Sequence, residues 1–276
     1  MPTVKLNDIN LYYEIEGPAD GGGEWAIFVH GGGGSHLGWW QQVYALRNRY
    51  KCVTYDARGL GQTEGVEDSP NGDRELIALM DHLKIDKAFL NGHSAGGSAV
   101  SKVSQAHPDR VHGLVMTACV FGFQTATLSK WAGEMLDKFS KGFTIGAHAR
   151  GTTFEQRNPE MAYLGSLFRK LNEAKRPQDA AKYTNRFGDA YAAMRDAKPV
   201  DYSKFKVPTL FVVGEQDELQ VPWLVRGTAE AVGGSRIVEI PDCGHGIPTE
   251  QPNLYNAALM AFMDYHSPAS RAKSAN

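Results

Sequence analysis

The sequence predicts an α/β fold: a mostly parallel sheet flanked by helices, with an inserted helical cap. Three observations carry this. Short unbroken apolar runs recur along the chain, helical stretches lie between them, and residues 121–200 interrupt the alternation with helical segments alone. An unbroken apolar run suits a central strand, which is covered on both faces and has no wet side. Strands alternating with helices build βαβ units, whose crossovers are right-handed.

Val4–Glu16 mixes alternating apolar residues with Tyr12 and Tyr13 and reads as a strand pair broken at Asn7-Asp8. Gly17–Gly23 is a turn-rich break. The apolar runs are Trp25–Val29, Cys52–Tyr55, Lys87–Asn91, Val111–Thr117, Thr209–Val213 and Arg236–Ile240. Asp73–Leu83 sets Leu76, Ile77, Met80 and Leu83 at helical spacing, and Ser98–Ala106 follows the third run. Asn253–Tyr265 closes the fold with Leu254, Ala257, Ala258, Ala261 and Phe262 on one stripe. Residues 121–200 are rich in aromatics and methionine and hold no clear strand, so they read as the cap; residues 1–120 and 201–276 form the core domain. Lys198-Pro199 and Val207-Pro208 mark the return. The polar tail Ser267–Asn276 is expected to lack regular structure.

A chain of 276 residues fits one α/β domain with an insertion and buries a large core without disulfides. Its 42% hydrophobic and 22% charged residues are ordinary globular usage. A net charge of −2 gives no reason to expect nucleic acid or an anionic membrane as partner. Cys52, Cys119 and Cys243 are too few and too far apart for a disulfide framework, and no Cys or His pair has zinc-site spacing. The opening residues lack a basic stretch followed by an apolar run, and no run of about 18 apolar residues exists. The expectation is a cytoplasmic protein, monomer or homodimer, whose partner is a small molecule.

Gly92-His93-Ser94-Ala95-Gly96-Gly97 fits G-x-S-x-G between a strand and a helix. Such a turn strains the serine backbone, and flanking glycines are needed where any Cβ would clash. It lifts the Ser94 hydroxyl to the N-terminus of the next helix, whose dipole favours negative charge. A serine hydroxyl needs a base. His245, in Pro241-Asp-Cys-Gly-His245-Gly, follows the last apolar run, where loops at strand ends of open α/β sheets meet ligands. The base needs an orienting acid. Asp217 lies in the loop after Val213, with Glu215 and Glu218 as close competitors; the loop after the preceding run, Ala118–Gly122, holds no carboxylate. His30-Gly31-Gly32-Gly33-Gly34 follows Val29 and offers backbone N–H groups to an oxyanion, Gly32 first and Gly33 second, with the N–H of Ala95 as the other donor.

Together His30-Gly-Gly-Gly-Gly, Asp56-Ala-Arg-Gly-Leu-Gly61, Gly92-His-Ser-Ala-Gly96, Gly214-Glu-Gln-Asp217 and Cys243-Gly-His245 resemble the α/β-hydrolase superfamily. The resemblance covers the chain outside the cap, with the motifs in family order. It implies an eight-stranded sheet, a cap between strands six and seven, and hydrolysis through an acyl-enzyme without metal or organic cofactor. Asp56 and Arg58 resemble the family's structural loop. The stretch from His30 to Trp39 also resembles the oxyanion loop of carbon–carbon bond hydrolases that cleave aromatic ring-fission products. Gly34 and Gly246 stand where those enzymes carry proline and tryptophan. Ser94 speaks against the halide- and epoxide-directed relatives, whose nucleophile is Asp. The broadest expectation is a carboxylesterase acting on a small-molecule ester or related carbonyl compound. The alternatives are a carbon–carbon hydrolase, a lactonase, a perhydrolase-like enzyme or a non-catalytic ligand-binding protein. His36, Trp40, Phe121 and Phe123 are candidates for an apolar pocket.

Overall fold

A computed structural model describes residues 2–66, 71–143, 148, 150–151, 153–173 and 180–268. The tail from residue 269 onward, expected to lack regular structure, lies outside the described residues. Eight strands form one sheet: β1 (Thr3–Leu6), β2 (Ile9–Glu16), β3 (Trp25–Val29), β4 (Lys51–Tyr55), β5 (Ala88–His93), β6 (Val111–Thr117), β7 (Thr209–Gly214) and β8 (Ser235–Ile240). Their order is β1-β2-β4-β3-β5-β6-β7-β8. β1 and β2 form the expected strand pair, which is antiparallel, and β2 meets β4 antiparallel. From β4 to β8 every pairing is parallel.

The apolar runs are explained by what each side chain meets. In β3, Ile27 and Val29 enter one core and Ala26 and Phe28 the other. In β7, Phe211 and Val213 face the first core while Leu210 and Val212 face the second. Side chains alternate across a strand, so a strand covered on both faces must be apolar at every position. One face is covered by α2 (Asp73–His82), α3 (Gly96–Ala106) and α8 (Pro222–Ala231), through Leu76, Val100 and Leu224. The other is covered by α1 (Trp40–Leu46) and α10 (Pro252–His266), through Leu46, Tyr255, Leu259 and Met263. The sheet's edge at β8 is charged: Glu239 pairs with Arg226, and Arg236 lies over the Tyr265 ring. Charge on an edge strand discourages pairing with another chain.

Between β6 and β7 the described structure is helical: α4 (Ala126–Ser140), α5 (Phe154–Arg157), α6 (Pro159–Glu173) and α7 (Ala180–Asp196). Thr125 caps α4 by accepting the Leu128 N–H at 3.1 Å. Trp131 of α4 meets Tyr191 of α7 edge-on, their ring centroids 5.1 Å apart.

The sequence pattern did not mark α1, α8 or the short α9 (Ile247–Glu250). Helix α3 begins at Gly96, two residues before the expected Ser98. Two glycines weaken a helix start by propensity, but here close packing requires them. A methyl group on Gly96 would sit 2.4 Å from the Val29 carbonyl oxygen, and one on Gly97 would sit 2.3 Å from Cys119 Sγ.

Phe211 is fully buried, and Phe123 meets its ring edge-on at 5.8 Å. Phe211→Ala leaves a cavity between sheet and helices. The expected loss is about 3–5 kcal/mol of unfolding free energy, read as a lower urea midpoint with little change in its slope.

Candidate active site

Four loops at the C-terminal ends of β3, β5, β7 and β8 converge on one point. The strand-to-helix turn after β5 carries Ser94 with φ 51°, a left-handed conformation rare for a side-chain residue. Holding it costs about 1–3 kcal/mol, so the surroundings must enforce it. Ser94 N–H donates to the Thr117 carbonyl on β6 at 3.0 Å, and the Ser94 carbonyl accepts the Gly97 N–H at 2.9 Å. A methyl group on Gly92 would sit 2.4 Å from Val100 Cγ2 and 2.8 Å from the Gly96 carbonyl oxygen. The turn therefore closes only where no Cβ intervenes.

His245 extends from the loop after β8. Its Nε2 lies 2.8 Å from Ser94 Oγ, and its Nδ1 lies 2.9 Å from Asp217 Oδ2. The other Asp217 oxygen accepts the N–H groups of Leu219 and Gln220, both at 2.9 Å. Asp217 is thus fully buried, fixed by its own loop, and acceptor only. The ring is oriented with Nδ1–H toward the carboxylate and Nε2 free to accept the serine proton. The competing carboxylates are occupied elsewhere: Glu215 accepts the Asp242 N–H at 3.1 Å, and Glu218 pairs with His148.

The oxyanion candidates come from the loop after β3 and the turn after β5. Gly31 to Gly34 form a turn closed by the Gly34 N–H donating to the Gly31 carbonyl at 3.0 Å, with Gly33 at φ 72°. A methyl group on Gly31 would lie 3.0 Å from Ser94 Cβ, so this loop touches the nucleophile's own residue. Neither the Gly32 nor the Ala95 N–H donates to a described residue. Ala95 precedes α3, whose N-terminal N–H groups favour an anion here.

The four pocket candidates have different surroundings. Trp40 is 46% exposed on α1, while its neighbour Trp39 is the core residue, packed on Phe28 and Tyr255. Phe123 is fully buried and enclosed by the Tyr202, Phe205 and Phe211 rings. His36 is buried with Nδ1–H donating to Asp56 at 2.8 Å, and its backbone N–H donates to the same oxygen at 2.7 Å. Its polar face is spent on holding that loop. Phe121 is half-buried beside Trp131. A cleft adjoins the serine turn, lined by Gly31, Ala95, Tyr55, Leu60 and Glu75 and not by Ser94 or His245.

Two groups escaped the sequence reading. His93 Nε2–H donates to the His245 carbonyl at 2.9 Å. Burial, helped by neighbouring His245, pulls its pKa down to about 4, so the ring is a neutral strut at neutral pH. Glu250, 5% exposed, accepts the N–H groups of Gly244, Gly246 and Gly151 at 2.9–3.0 Å. Its only sequence signal is a carboxylate five residues after His245, at the end of Ile247-Pro-Thr-Glu250.

A parallel-sheet scaffold carrying a strained serine turn and a Ser-His-Asp array is the architecture of a hydrolase. The profile of the alpha/beta hydrolase family matches residues 26–258, and the chain belongs to that family. It is 26% identical over 266 residues, 92% of this chain and 95% of the relative, to a Caulobacter sp. strain K31 protein provisionally named carbamate hydrolase RutD. An esterase of Thermogutta terrifontis superposes with TM-score 0.74 at 21% identity, covering 96% of this chain and 99% of that one. The enol-lactonase of Burkholderia xenovorans LB400 superposes with TM-score 0.69 at 22% identity, covering 95% and 99%. No described helix is long and apolar enough to cross a membrane.

The His36–Asp56 pair gives a pH signature separate from activity. Burial pulls the His36 pKa down, but the hydrogen bond and charge of Asp56, with Glu14 beyond, outweigh it and leave it raised above 6.5. Burial pushes Asp56 up, and the His36 and Gln62 hydrogen bonds outweigh that and leave it below 3.8. A raised His contributes stability that is complete below its unfolded value and is lost as pH climbs through the folded one. A lowered Asp contributes stability above its unfolded value that is lost as pH falls through the folded one. The stability gap between wild type and His36→Gln should therefore be widest from about pH 4 to 6.5 and shrink outside that window. Urea midpoints across pH read it; a gap that grows above pH 7 contradicts it.

Proposed function

We propose that the protein is a serine hydrolase that cleaves a carboxylic ester of a small to medium, partly apolar substrate through a Ser94 acyl-enzyme. The observation that carries this reading is the unbroken array from Ser94 Oγ to His245 Nε2 at 2.8 Å and from His245 Nδ1 to Asp217 at 2.9 Å. His245 takes the Ser94 proton as Oγ attacks the substrate carbonyl carbon. The C=O electron pair moves onto oxygen, where the free N–H groups of Gly32 and Ala95 receive the developing charge. Asp217 stabilises the imidazolium. The C–O bond to the alcohol then breaks, and His245 returns the proton to the leaving oxygen. Water repeats the cycle: His245 removes its proton as the water oxygen adds to the acyl carbon, the C–Oγ bond then breaks to release the acid, and His245 returns the proton to Ser94 Oγ. In this reading the helices between β6 and β7 form the cap over the substrate.

A second reading keeps the triad and changes the bond. The lactonase among the structural neighbours and the His30–Trp39 loop favour a lactone or a ring-fission diketone as substrate. Initial rates on p-nitrophenyl esters of increasing acyl length, beside the same panel of lactones and diketones, decide between them.

Ser94→Ala should abolish fluorophosphonate labelling and lower kcat by about 10⁴-fold or more. Asp217→Asn keeps the shape but presents an amide to the ring, and should cost about 10³–10⁴-fold in kcat. Wild-type turnover by Ser94→Ala would overturn the assignment.

A further inference from the structure

We infer that Glu250 is a positioning residue that joins the His245 loop and the helical insert into one hydrogen-bonded unit, so that seating of the insert sets the catalytic histidine. The inference rests on the serine-hydrolase reading of Ser94 and His245.

The Glu250 carboxylate is buried, and its three partners are backbone N–H groups. Two of them, Gly244 at 2.9 Å and Gly246 at 3.0 Å, flank His245 on either side. The third, Gly151 at 3.0 Å, belongs to the insert. Gly151 and Gly244 share one oxygen, Oε2, while Gly246 takes Oε1. Burying a carboxylate is costly unless its charge is met by hydrogen bonds, and here those bonds come from two segments far apart in sequence.

Steric contact runs along the same path. A methyl group on Gly244 would lie 2.2 Å from the Gly151 nitrogen and 2.4 Å from the Arg150 carbonyl carbon. The two backbones therefore touch. A methyl group on Gly151 would lie 2.9 Å from both Glu250 Oε2 and Gln216 Oε1. Gln216 in turn precedes Asp217, and its N–H donates to the Cys243 carbonyl at 2.8 Å. The Arg157 guanidinium adds a hydrogen bond to the Asp242 carbonyl. A shift of the insert at Gly151 thus reaches the His245 loop through Oε2, and it presses on the Asp217 loop at Gln216. Proton transfer from Ser94 depends on geometry that a misplacement of about 1 Å would spoil, so this coupling bears on kcat more than on substrate affinity.

Glu250→Gln keeps the side-chain shape but leaves one acceptor oxygen for three donors and adds an NH2 facing N–H groups. Gly151→Ala presses on the same carboxylate from the insert. Both variants and their double are compared with wild type for kcat and KM on p-nitrophenyl acetate, normalised to Ser94 titrated to completion with a fluorophosphonate. Glu250→Gln is expected to lower kcat per titrated serine about tenfold, with KM within about twofold. Gly151→Ala should lower it severalfold, and the double variant should be no slower than Glu250→Gln alone, because both act through one carboxylate. Unchanged kcat per titrated serine with only a lower melting temperature would reduce Glu250 to a structural residue and overturn the inference. Effects that multiply would break the link between insert and His245. If Glu250→Gln does not fold, Gly151→Ala decides alone: wild-type kcat there overturns the inference. Absence of labelling in the wild type would instead overturn the serine-hydrolase reading.

Discussion

Backbone meeting backbone with no Cβ between is the constraint on which the site depends. Gly92, Gly96 and Gly97 let the β5–α3 turn close tightly enough to hold Ser94 at φ 51°. The same device recurs where the other loops meet. A methyl group on Gly214 would lie 2.2 Å from the Gly244 carbonyl oxygen, so the acid and histidine loops interlock as closely as the serine turn does. Ser94, Asp217 and His245 come from segments more than a hundred residues apart at their widest. Side-chain hydrogen bonds of about 1 kcal/mol each would not hold such a geometry alone. The loops hold it, and the hydrogen bonds report it.

Three buried carboxylates show how one chemical group takes different tasks from what faces it. Asp56 faces His36 and the Gln62 N–H, and locks the loop after β4. Asp217 faces two N–H groups of its own loop and one imidazole, which leaves it a single directed partner. Among the described residues Glu250 faces backbone N–H groups from two segments. Each is buried and each is satisfied, yet only one of them touches the histidine that touches the serine. Burial of an acid is therefore a poor guide to its role; the identity of its donors is a better one.

The sheet and the Ser-His-Asp positions were legible because they leave local marks. An apolar run records a strand covered on both faces, and a glycine-flanked serine records a turn that excludes Cβ atoms. What was not legible depends on contacts distant in sequence. Trp39 and Trp40 are adjacent and chemically identical, and only the packing of Phe28 and Tyr255 makes the first a core residue. His36 has the look of a pocket residue until Asp56, twenty positions on, claims its ring. Helix α1 is only seven residues long, Trp40–Leu46, so its apolar stripe is too brief to register as a period. Helix α3 was read two residues late because Gly96 and Gly97 argue against a helix start by propensity, and only the Val29 carbonyl and Cys119 across the turn require them.

Gly246 illustrates how a single departure from a related pattern follows from such a contact. The carbon–carbon hydrolases that the His30–Trp39 loop resembles carry tryptophan after the histidine. Here a methyl group at that position would lie 3.0 Å from Glu250 Oε1, the oxygen that holds the Gly246 N–H. A bulky residue would have to displace the carboxylate or turn its side chain away. A small residue at 246 and a buried acceptor at 250 are thus one packing solution rather than two independent choices. In this chain the histidine loop is steadied from beneath by a carboxylate and by the neutral His93 ring. The serine turn, by contrast, makes no contact with this carboxylate, so the histidine loop can vary around position 246 while the Ser94 turn keeps its glycine-closed geometry.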